Sequence, residues 1–241
     1  MDDIVTKIIA DQEALRNKID EKAKEKHLSS KKLSPIYDGV ADVKAYIHSS
    51  TKIMWILKEP YDCINEKTKE PEGGGWILMK DLMKHKKYPL KKSLPRTLQR
   101  VIYSTFGIIT GEEYENMAYY YQPEMYEYLF QIADINLSKM PAGTRSEDMT
   151  EKYYIWKDLI FEQISLYNPD VIILGNTFQY MRADFLVSEK DQIFQEKGWV
   201  DVYKKDHRLL VDAYHPGIIC STKQYVNTLV SAIHHSINHL N

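Results

Sequence analysis

The sequence predicts an α/β fold: a three-layer α/β/α sandwich around a central four-stranded parallel sheet. Three observations lead there. Four short apolar runs, in "KIMWILKEP", "FQIADINL", "DVIILGN" and "RLLVDAY", have the length and β-branched content of strands buried on both faces. Segments with apolar residues at helical spacing alternate with them. Right-handed crossovers between such strands make the sheet parallel and bring every strand's C-terminal end to one edge, where ligands bind.

The elements follow in order. Asp2 to Lys26 reads as a charged helix with Ile4, Ile8, Leu15 and Ile19 on one stripe. "VADVKAYIHSS" reads as a short second helix, and residues 1–50 are taken as an N-terminal helical extension packed on a domain spanning 51–241. Ile53 to Leu57 is the first strand, ended by Pro60. A long polar connection with three consecutive glycines follows, a pattern that in compact domains marks function or disorder. Lys80 to Arg100 is basic, with Asp81 as its one acid. Leu94 to Phe106 reads as a helix, and the tyrosine-rich stretch after it as a helical or irregular insertion. The second strand ends at Asn136. A helix with Ile155, Leu159, Ile160 and Ile164 on one face stops at Asn168-Pro169. The third strand ends in Gly175-Asn176, and Phe178 to Phe185 reads as a short helix. The fourth strand runs into His215-Pro216-Gly217, and Ser221 or Thr222 caps a C-terminal helix.

Composition narrows the class. With 241 residues and 44% hydrophobic content, the chain can build one large core. It has no apolar run near the ~20 residues that span a bilayer and no signal-peptide pattern at its start. A soluble, cytoplasmic protein without membrane association is expected, as a monomer. Cys63 and Cys220 are far apart and form no CxxC pair, which excludes a cysteine-based zinc or iron–sulfur site. His234, His235 and His239 lack a carboxylate at ligand spacing, so no metal is expected. The net charge of -2 gives no general sign of nucleic-acid binding, which leaves the local patch of Lys84, Lys86, Lys87, Lys91 and Lys92 to carry it.

The strand ends gather chemistry-bearing residues: Glu59, Pro60 and Tyr61 after the first, Asn136 after the second, Gly175 and Asn176 after the third, and His215 after the fourth. Each has a plainer reading as well. Glu59 reads equally as a solvated loop acid, Asn136 as a turn cap, His215 as a loop histidine satisfied by backbone, and Trp76 as core.

These blocks, in this order, resemble the uracil-DNA glycosylase superfamily from about Lys52 to the C-terminus. "LKEPY" stands where the family has GQDPY or GEAPG. "NLSKMPAGTR" is similar to the NVVKCRPPGNR block of the iron–sulfur branch, "YNPDVIILGN" to KPKVIVALG, and "HPG" to HPS. The resemblance implies hydrolysis of the N-glycosidic bond of uracil or a related damaged base in single- or double-stranded DNA, with no cofactor. Bond cleavage builds positive charge on the sugar and negative charge on the base. A carboxylate suits the first and a histidine donor the second, while a carboxamide can pair with both O4 and N3–H of uracil.

Carried over by position, Glu59 and His215 are the catalytic pair. Tyr61 crowds C5 of the base, Asn136 reads its edge, Trp76 stacks on it, and Gly217 offers backbone N–H to a phosphate. Ile218 and Ile219 fall where the family wedges the duplex. The chain departs from the pattern at Leu57 for glycine, Lys58 for glutamine or glutamate, Glu59 for aspartate and Gly217 for serine, and it lacks the four cluster cysteines. Two rival readings remain open: a catalytically silent module of the same fold that binds nucleic acid or a nucleobase, and an enzyme acting on a small molecule at the same edge.

Overall fold

The computed structural model describes residues 2–62, 67, 72–78, 80, 84, 93–143 and 148–240. Its elements are α1 (Asp2–Glu25), β1 (Gly39–Val40), α2 (Val43–His48), β2 (Ile53–Leu57), α3 (Arg96–Thr110), α4 (Pro123–Tyr126), β3 (Ile132–Asn136), α5 (Thr150–Tyr167), β4 (Val171–Gly175), α6 (Phe178–Met181), β5 (Gln192–Glu196), β6 (Val200–Lys205), β7 (Arg208–Ala213) and α7 (Thr222–Ile237).

The fold is α/β, but the sheet is larger than the sequence suggests. Among the described residues it has seven strands in the order β1-β3-β2-β4-β7-β6-β5. The neighbours β3, β2, β4 and β7 run parallel. The two-residue β1 flanks β3 antiparallel, and a β5–β6 hairpin extends the other side antiparallel from β7. A four-stranded parallel sheet is therefore corrected to a seven-stranded mixed one. The missed hairpin has a local cause. Val200 and Val202 are buried and alternate with half-buried Asp201, a period of two. Gly198 supplies the positive φ of 76° that the turn needs.

Every residue of β2 is buried, because each face of the sheet carries its own core. Ile53, Trp55 and Leu57 join a cluster with α3, α7 and residues 123–131. Met54 and Ile56 join a second cluster with α1, α2, α5 and α6. In α1 the buried stripe is Leu15, Ile19 and Ala23, whereas Ile4 is largely exposed. Asn168 ends α5 in the left-handed region at φ 43°, donating its N–H to the Ile164 carbonyl at 2.9 Å, and Pro169 prevents continuation.

The first fifty residues contribute more than a packed helix. They supply β1 and the buried Asp38. They also supply a ribbon: the Ser34 and Tyr37 N–H groups donate to the Gly73 and Trp76 carbonyls at 3.0 and 3.1 Å, while Gly73 and Gly75 donate back to Lys32 and Pro35 at 2.8 Å each. The triple glycine is thus drawn into backbone pairing. A Cβ on Gly74 would sit 1.8 Å from the Ser34 carbonyl oxygen, so no larger residue fits. Among the described residues no helix is long and apolar enough to cross a membrane.

Candidate functional site

The sheet's C-terminal edge gathers the candidate residues by backbone pairing before any side chain acts. The Leu57 and Lys58 carbonyls accept from the Leu137 and Ser138 N–H groups at 2.9 and 3.0 Å. The Pro60 carbonyl accepts from Ala142 at 3.0 Å, so the "EPY" and "MPAG" segments run side by side. On the other side, a Cβ built on Gly175 would lie 2.7 Å from Leu57 Cδ2 and 3.2 Å from Pro216 Cδ. The ends of β2 and β4 and the loop after β7 therefore meet at Gly175, and glycine is what lets them approach.

Glu59 is the most unusual group of the set. Its side chain is 3% exposed and its Oε1 is paired with Lys152, from the first turn of α5. Its Oε2 is buried and has no hydrogen-bond partner. A buried carboxylate oxygen left open is expensive unless something binds it.

His215 is half-buried, and its Nδ1 accepts the Gly217 N–H at 3.0 Å. Burial first, and the Lys58 charge second, push its pKa below the ordinary 6.5. At neutral pH the ring is therefore uncharged. Because Nδ1 is an acceptor, the proton of the neutral ring sits on Nε2, which is therefore a donor. Gly217 thus acts first on His215, and its N–H is engaged rather than free for a phosphate.

Asn136 ends β3, buried, with two donors turned inward. Its backbone N–H and its Nδ2 reach the Asp38 carboxylate at 2.8 and 3.4 Å. Asp38 also receives Lys139 Nζ at 2.9 and 2.8 Å and Gln163 Nε2 at 2.9 Å. Tyr61 is 64% exposed beside Ala142. Trp76 is half-buried, with its indole N–H on the Asp62 carboxylate at 2.8 Å, where Gly74 N–H also donates at 2.8 Å. The structure thus brings Glu59 and His215 to one edge, ties Asn136 to an interior network, leaves Tyr61 on the surface and fastens Trp76 to Asp62.

Ile218 packs partly buried against the core, while Ile219 is 91% exposed and forms the apolar tip of the loop. Lys84 is exposed and helical; Lys86, Lys87, Lys91 and Lys92 lie outside the described residues. Among the described residues no group of three or more histidine, cysteine, aspartate or glutamate side chains could hold a metal.

Sequence reasoning missed three residues. Arg100, counted with the basic stretch, is 0% exposed. It donates to the carbonyls of Pro216, Ile218 and Cys220 at 2.9, 2.8 and 2.6 Å and lies 5.0 Å from the Tyr225 ring centroid. It therefore pins the His215 loop. Its place on the buried side of α3 was the available signal. Lys152 and Asp62 had none, since each acts on a partner distant in sequence or loop path. Beside the edge lies a cavity of about 270 Å³ lined by Asn176, Gln179, Trp199, Asp201, Asp212 and Tyr214, among others.

No family model and no curated protein matches this chain.

Proposed function

We propose that this protein is a DNA glycosylase-like hydrolase that cleaves the N-glycosidic bond of uracil or a related damaged base. The observation that carries the reading is that one sheet edge holds both an almost fully buried carboxylate and a neutral histidine whose Nδ1 is an acceptor. Glycosidic cleavage can use both groups in these states. As the C1′–N bond breaks, its electron pair leaves with the base and the sugar becomes cationic. Glu59 Oε2, open inside the protein, can hold the attacking water or face that cation. His215 Nε2–H can donate to the oxygen where the base's negative charge gathers.

The arrangement of motifs along the chain supports the same reading, and exposed Ile219 would enter a gap in the duplex left by a flipped base. Tyr61 and Trp76 would flank the base, with Asn136 reading its edge. The basic stretch containing Lys84 would meet phosphates, which makes DNA the partner.

A second reading, a silent module that binds nucleic acid or a nucleobase, is favoured by one observation: the Asn136 amide is already engaged by Asp38. Excision assays on single- and double-stranded oligonucleotides carrying uracil, hypoxanthine or xanthine separate the two. The glycosylase reading expects excision that Glu59→Gln lowers by about 10²-fold or more, since the amide cannot serve as base or anion. Salt-sensitive DNA binding without excision would support the silent module. Neither excision nor DNA binding would sink both.

A further inference from the structure

We propose that Lys58 is a further catalytic residue, whose ammonium faces the leaving base and shares with His215 the negative charge that develops on it. This rests on the glycosylase reading and adds a cation to it. The resemblance does not supply that cation, because the related motifs carry glutamine or glutamate at this position.

The backbone places Lys58. Its carbonyl accepts from Ser138 N–H at 3.0 Å, which holds it at the mouth of β2 and β3. Leu57, one residue before it, and Pro216, one residue after His215, both touch the Gly175 position. The chain segments that carry Lys58 and His215 therefore meet at one point. Independently, the Lys58 charge lowers the proton affinity of the His215 ring, so the ammonium is within electrostatic reach of it.

Lys58 is also unengaged. Its neighbour Glu59 pairs with Lys152, and among the described residues the Lys58 ammonium has neither a hydrogen bond nor an ion pair. The result is a charge pattern matched to the transition state. An anion stands at the sugar side, already balanced by Lys152. A cation and a neutral donor stand at the base side. A cation placed where negative charge appears, in a half-buried site, lowers the barrier more than the same charge would in water.

The test is single-turnover excision of uracil and of 5-fluorouracil from otherwise identical DNA by wild type, Lys58→Met, Lys58→Gln and Lys58→Arg. Fluorine makes the departing base a weaker base, so it depends less on help from the enzyme. Lys58→Met is expected to slow uracil excision about 10²-fold. It should slow 5-fluorouracil excision much less, so that the ratio of the two rates rises about tenfold. Lys58→Gln should behave like Lys58→Met, and Lys58→Arg should restore most of the rate. Unchanged rates, or equal slowing of both bases, in a folded Lys58→Met or Lys58→Gln protein would overturn the role of Lys58 while leaving the glycosylase reading intact. No excision of either base by wild type would remove the glycosylase reading itself, and the role of Lys58 with it.

Discussion

Arg100 shows how a single buried cation can shape an active edge without touching substrate. Its guanidinium donates to three carbonyls of the 216–220 loop, those of Pro216, Ile218 and Cys220, and the Ile218 carbonyl also accepts the Cys220 N–H at 3.1 Å. A methionine keeps much of the volume and none of the donors. Arg100→Met is expected to destabilise the protein by about 2–4 kcal/mol, read as a lower urea midpoint with little change in slope. It should also cut excision more than it cuts DNA binding, because the displaced group is His215 rather than the phosphate contacts. A variant with full stability and activity would show that the loop holds itself.

At the scale of the elements, the β6–β7 pair carries a built-in electrostatic conflict. Asp201 and Asp212 are direct cross-strand partners, and like charges in that position repel. Gln192 and Gln195 donate to the Asp201 carboxylate at 3.1 and 2.9 Å. Burial and the nearby Asp201 charge push Asp212 from the ordinary 3.8 up to about 6. The folded state thus holds its proton more tightly than the unfolded state. The contribution to stability is full below about pH 4 and is lost as pH rises through about 6. At pH 7 the folded protein bears an unfavourable charge that asparagine would remove. Asp212→Asn is expected to raise stability at pH 7 by about 1–2 kcal/mol, after discounting for its remaining exposure, and to do little near pH 4. Urea denaturation at the two pH values tests this, and an equal effect at both would refute it.

At the scale of the whole molecule, one interior network joins distant parts of the chain. Asp38 from the N-terminal segment, Asn136 and Lys139 around the end of β3, and Gln163 from α5 share hydrogen bonds in a site closed to solvent. Burial pushes the Lys139 ammonium down, and Asp38 opposes that shift. Removing one member strands the other as an uncompensated buried charge. Lys139→Met is expected to cost about 3–5 kcal/mol. The double variant Asp38→Asn/Lys139→Met should cost clearly less than the sum of the single changes. Additive single effects would show that the pair is not coupled.

The sequence alone determined the α/β class, the four apolar runs that form β2, β3, β4 and β7, and the identity of the strand-end residues. Those signals are local: five-residue apolar runs at Ile53–Leu57 and Val171–Gly175, helical spacing in 150–167, and punctuation at Asn168-Pro169 and His215-Pro216. The hairpin of 192–205 was legible as well, through the alternation of Val200 and Val202 around Asp201, but it is faint over so few residues. Only the tertiary structure decided what the strand-end residues do. Nothing near Glu59 in the chain announces Lys152, nothing near Asn136 announces Asp38, and the helical position of Arg100 marks its face but not the carbonyls it meets. The reason is physical. Apolar periodicity is written within one element, because burial of a face is a property of that element. The state of a charged or amide group is set by partners that the fold brings from tens to more than a hundred residues away, 93 from Glu59 to Lys152 and 98 from Asn136 to Asp38. Sequence therefore located the edge and its chemistry. Packing determined which of those groups is neutral, which is open and which is already spoken for.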